Sequence, residues 1–164
     1  MNSMYPTRTS AWSEFIHDDL GQQKPRSQRI SDVIEANLQS FNLSAHHLHL
    51  AHELAWLDSN RPSEDDLPMV LLILTVMADI RQGSTRTPID GPLGRHHLSS
   101  QFNGLCGLPN DELEWMAERV EGWVDQAIDR ISNDTNGTLF GHTLSAIRPF
   151  IYWNGHLHEQ QLLR

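Results

Sequence analysis

The sequence predicts a mainly α protein: a compact helical domain around a central apolar helix, with a short edge strand and a small C-terminal β-hairpin. Three observations carry this. The run Met69-Val70-Leu71-Leu72-Ile73-Leu74-Thr75-Val76-Met77-Ala78 is apolar on nearly every face, so in a soluble chain other helices must surround it. Beyond Asn110 and Asp111, either of which can cap, Leu113, Met116, Val120, Trp123, Ala127 and Ile131 form one stripe of a long amphipathic helix. Phe150-Ile151-Tyr152-Trp153 is aromatic and β-branched, and it runs into Asn154-Gly155, the dipeptide that favours a two-residue hairpin turn.

The remaining elements follow in chain order. Residues 1–28 mix Pro6, Gly21 and Pro25 with scattered charge, and only Trp12, Phe15, Ile16 and Leu20 suggest an amphipathic turn, so they read as a loosely packed arm. Residues 29–164 read as a single domain. Its first helix carries Ile30, Val33, Ile34 and Leu38 at helical spacing, with Ser27 as N-cap. Ser44 caps a second helix in which Leu48, Ala51 and Ala55 make one face and Leu50, Leu54 and Leu57 widen it; substantial burial is expected.

Arg61-Pro62-Ser63 breaks that helix, and Ser63, Asp65 or Asp66 can cap the apolar third one, with Pro68 in its first turn. Gly83 should end it in a left-handed conformation, leading into the extended Ser84–Ile89 stretch, which Pro88 confines to a sheet edge. Asp90-Gly91-Pro92 reads as a turn, residues 93–102 as a short helix, and Asn103-Gly104-Leu105-Cys106-Gly107 as a glycine-rich loop.

Composition narrows the function. Among 164 residues, 21 are acidic and 12 basic, a formal net charge of -9 that disfavours tight phosphate or DNA binding by this domain alone. Lys24 is the only lysine and precedes Pro25, not the Ser or Thr that holds magnesium, so a P-loop is excluded. The longest apolar run is too short to span a bilayer, and the first residues lack a signal-peptide pattern; no membrane association and a cytoplasmic location are expected. With Cys106 as the only cysteine, neither an internal disulfide nor a multi-cysteine zinc site can form.

Candidate chemistry is sparse. His46, His47, His49 and His52 crowd one helix beside Glu53, and His49 and His52 stand three apart as metal ligands can, which raises the alternative of a small metal-dependent hydrolase. The HExxH pattern is nevertheless incomplete, because Trp56 holds the place of its second histidine. The bland reading is helix-surface histidines, and His96, His97, His142, His156 and His158 share no spacing that suggests otherwise. Cys106 reads as an inert thiol, the carboxylates Asp65-Asp66 and Asp111-Glu112 as helix-start residues, and Gly83-Ser84-Thr85-Arg86 as a helix end that need not hold an anion. No catalytic residue and no cofactor is therefore expected. Trp56, Trp115, Trp123, Tyr152 and Trp153 exceed what one small core accommodates; Trp123 lies on the apolar stripe, leaving Trp115 and Trp153 as candidates for a partner-docking surface.

Three segments, in their order and spacing, resemble the N-terminal domain of RecD, the alpha subunit of the RecBCD helicase-nuclease. Leu43–Ala55 is similar to that family's early Ala/Leu-rich helix, and 69–89 to its hydrophobic helix, glycine and short strand. Residues 149–161 are similar to the hairpin that closes the domain, although His158 stands where the family has a tyrosine and Gln161 near where it has an arginine. The resemblance spans roughly 43–164 and implies an assembly domain in double-strand-break repair that docks onto a RecC-like subunit. ATPase and unwinding activity would then belong to the parent subunit, and a free-standing scaffold protein remains the alternative.

Overall fold

The structure, a computed structural model, describes residues 26–59, 66–107, 110–133, 139–142 and 148–159, with side chains in the helices described over 30–57, 66–107 and 119–132. The mainly helical class holds. Five helices, α1 (Arg26–Asn37), α2 (Ala45–Ser59), α3 (Leu67–Arg81), α4 (Gly91–Leu105) and α5 (Asn110–Asn133), surround one core, and a short 3-10 turn, Leu38–Phe41, follows α1. Four short strands, β1 (Thr87–Pro88), β2 (Phe140–Gly141), β3 (Phe150–Trp153) and β4 (His156–Glu159), form one sheet.

The apolar run does what its composition requires. In α3 every residue from Leu67 to Val76 is buried, as are Ala78 and Asp79, and the helix packs against α2, α4, α5, β1 and β4. Thr75, fully buried in that run, places its hydroxyl on the Leu71 carbonyl at 2.8 Å, which satisfies the polar group inside the helix itself. The helix ends as expected: Gly83 has φ +98°, the Ser84 N–H donates to Asp79 O and the Gly83 N–H to Ile80 O, a Schellman closure.

Several local readings need correction. Ser27 is not a cap, because α1 already begins at Arg26, two residues before the expected end of the arm; residues 1–25, with the Trp12–Leu20 turn, lie outside the described residues. The second helix is not substantially buried: Leu48, Ala51 and Ala55 enter the core while Leu50, Trp56 and Leu57 stay exposed. α2 packs on α3 through Leu48, Ala51 and Ala55, with Leu54 partly buried beside them. Asp66 does occupy the N-cap position of α3, yet its carboxylate makes no capping bond and turns to Arg130.

The expected turn at Asp90-Gly91-Pro92 and most of the expected glycine-rich loop are helix, since α4 runs from Gly91 to Leu105. Two of its glycines are packing devices. A Cβ on Gly94 would fall 2.2 Å from the Ile89 carbonyl carbon, and one on Gly104 would fall 2.7 Å from the Phe41 ring. Glycine-rich composition here reports close helix contacts instead of a loop.

The hairpin turn forms as expected, with Asn154 at φ 57° and Gly155 at φ 79°. It is not alone, however. β4 also pairs antiparallel with β1, and β3 pairs parallel with β2, giving the order β1-β4-β3-β2 with the Pro88 strand at an edge. Phe140, Phe150, Leu157 and Ile89 bring this sheet into the same core as α3.

Candidate functional site

Among the described residues, three features are candidates for chemistry or recognition: a polar cluster at the end of α3, the histidine-rich helix α2, and the exposed apolar side chains. The polar cluster is the one that the sequence conceals. Asp79, in the last turn of α3, is 5% exposed and accepts hydrogen bonds from Thr87 Oγ1 at 2.6 Å and Gln101 Nε2 at 3.3 Å. His97 Nε2 lies 2.9 and 3.1 Å from its two oxygens; a carboxylate only accepts, so that nitrogen carries the proton. One buried carboxylate thus ties α3 to β1 and α4. It is a junction of three elements whose described polar contacts are all within the protein.

His97 is therefore no idle surface residue, and neither is His142, whose Nε2 lies 2.8 Å from the Ile131 carbonyl in the last turn of α5 and whose ring packs edge-on to Tyr152. Both were indistinguishable in sequence from histidines without a structural task. The signal for His97 is only its helical spacing of four to Gln101, which sets two donors on one side of α4.

On α2 the metal-type spacing resolves into ordinary helix chemistry. His47 Nδ1 accepts from the Ser44 backbone N–H at 3.0 Å and lies 3.2 Å from its hydroxyl, a capping arrangement that bears out Ser44 as the helix start. His49 Nε2 sits 3.2 Å from Glu53 one turn on, both well exposed. His52 faces inward, and burial first, then repulsion from His49, pushes its pKa down to about 4. Among the described residues no three or more His, Cys, Asp or Glu side chains converge as a metal site.

This placement gives His52 a pH signature. Between its ordinary value of 6.5 and about 4, the unfolded chain takes up a proton that the folded chain refuses, so stability falls as pH drops through that window and is unaffected above it. The share of this one group is at most about 3 kcal/mol. His52→Gln should remove it: denaturation curves at pH 7 and pH 4.5 should show a smaller acid loss in the variant, and parallel losses would refute the assignment.

Cys106 is fully buried and its thiol is pushed up to about 12 by burial, which leaves negligible thiolate for nucleophilic chemistry at neutral pH. Gly83 to Arg86 forms the helix closure and an exposed lead into β1. Asp65, and the side chains of Asp111 and Glu112, lie outside the described residues, as does the side chain of Trp115 within α5.

What remains is exposed apolar surface. Trp153, at the end of β3, is 44% exposed, and Trp123 is in the core as its stripe position predicts. Sequence reasoning missed the larger feature: Leu50, Trp56 and Leu57 are 38%, 48% and 59% exposed on α2. Its signal was present, because Leu50 and Leu57, seven apart, cannot share the side of the helix that holds Leu48, Ala51 and Ala55. Among the described residues no helix is long and apolar enough to cross a membrane. Compared with known proteins, the chain matches no family model, no characterised protein and no solved structure.

Proposed function

We propose that this chain is a non-catalytic docking domain that joins a larger assembly through protein contacts, in the manner of the N-terminal domain of a RecD-like helicase subunit on a RecC-like partner. The observation that carries the docking reading is α2, a helix that buries one stripe on α3 and offers Leu50, Trp56 and Leu57 to the outside. Large apolar side chains left exposed on a helix gain burial against a partner, and Trp is a frequent anchor of such contacts. The RecD-like part rests on the three sequence segments alone. The net charge of -9 favours a protein partner over DNA.

A pull-down of candidate repair subunits, a RecC-like one among them, tests both levels. Binding should survive high salt better than an ionic contact, and Trp56→Ala with Leu57→Ala should weaken it about tenfold or more, with Trp153→Ala and Trp115→Ala as the second patch. Retention of a different subunit through α2 would keep the docking reading and remove the RecD-like one. Micromolar, sequence-tolerant DNA binding in physiological salt, with no protein retained, would defeat both.

A further inference from the structure

A second recognition feature lies where the start of α4 faces the β3–β4 turn. A cleft of about 520 Å³ opens there between Pro88, Asp90 and Leu93 on one side and Asn154, Gly155 and His156 on the other. Leu93 is 79% exposed, the most exposed of the large apolar side chains described. Beside it the Asp90 carboxylate is held in place: Oδ1 accepts the Tyr152 hydroxyl, and the backbone N–H groups of Ile89 and Asp90 both donate to Gly155 O, at 2.9 and 3.1 Å.

Asp90 Oδ2 makes no hydrogen bond among the described residues. A Cβ at Gly155 would stand 3.4 Å from that oxygen, in ordinary van der Waals contact, and it is the φ of +79° that suits glycine there. An oriented, exposed carboxylate oxygen beside an unburied leucine, with no Lys or Arg lining the cleft, has the chemistry of a basic side chain turned inside out. The positive end of the α4 dipole, about half a charge, cancels only part of the carboxylate's.

We propose that this cleft receives a long basic side chain, arginine or lysine, from the docked protein, with its cation on Asp90 and its aliphatic stem against Leu93. This rests on the docking reading and adds the chemistry that the partner must present. A predominantly acidic domain, at -9, and a partner carrying exposed cations are complementary in charge, which sets orientation and speeds encounter more than it adds affinity.

The probe is the capped peptide acetyl-Leu-Arg-Leu-amide, with lysine, norleucine and glutamate versions, titrated into the ¹⁵N-labelled full chain. The basic peptides should shift the amides of Leu93, Asn154, Gly155 and His156. Exchange of arginine for norleucine, or Asp90→Asn, should weaken binding about threefold to fivefold, the range of an exposed ion pair. Asp90→Asn keeps an acceptor for Tyr152, and Leu93→Ser supplies a second variant that leaves the turn intact. Equal binding of arginine and norleucine peptides, or no shifts at these amides, would overturn the cleft assignment. Loss of the protein partner in the α2 variants alongside that result would leave the docking reading standing.

Discussion

Leu72→Ala or Ile73→Ala should lower the stability of the fold by about 2–5 kcal/mol, the range of a buried aliphatic truncation whose cavity collapses only in part. Leu72 is fully buried and Ile73 is 1% exposed. They are consecutive, so they point about 100° apart around α3. With every residue from Leu67 to Val76 buried, all directions around the axis are covered, so neighbours enclose the helix, as α2, α4, α5 and the sheet do. In urea or guanidinium titrations both midpoints should fall, whereas Leu57→Ala, on the exposed face of α2, should change stability by about 0.5 kcal/mol or less. Unchanged midpoints for both core variants would remove α3 from the centre of the molecule.

Arg130→Met should cost about 3–5 kcal/mol, because it strips a bonded cation from a carboxylate that stays buried. Asp66 is 2% exposed at the start of α3, and Arg130 Nη1, 23% exposed near the end of α5, lies 2.9 and 3.2 Å from its two oxygens. The double variant Asp66→Leu with Arg130→Met should recover part of the loss, since removal of both charges relieves the desolvation that one alone imposes. Thermal and chemical denaturation of the two single variants and the double give the coupling. A loss below about 1 kcal/mol for Arg130→Met would mean that Asp66 does not depend on this cation.

These two experiments separate what is local from what is not. The burial of Leu72 and Ile73 was legible because an unbroken apolar run admits a single solution in water, with other elements on all sides. The same holds for the stripe from Val120 to Ile131, for Gly83 after Arg81, for Pro88 at a sheet edge, and for the turn at Asn154-Gly155. In each case a short-range steric or periodic rule, acting within a few residues, settles the conformation.

The pairing of Asp66 with Arg130 obeys no such rule, because they stand 64 positions apart and a capping role for Asp66 satisfies every local criterion. The Asp79, Thr87, His97 and Gln101 junction is concealed in the same way, as is the addition of β1 and β2 to the hairpin. The Asp90-Gly91-Pro92 and Asn103–Gly107 stretches look like loops because glycine and proline are read for their backbone freedom; in the fold Gly94 and Gly104 serve contacts with Ile89 and Phe41 that only the packed state creates. For recognition the division is the same. Composition determined that the chain is acidic, has no P-loop and carries surplus aromatic side chains. Which of them stay outside depended on how much of α2 the neighbouring helix covers, and that is decided where α2 meets α3: Leu48, Ala51 and Ala55 are buried there with Leu54 partly buried beside them, while Leu50, Trp56 and Leu57 stay exposed.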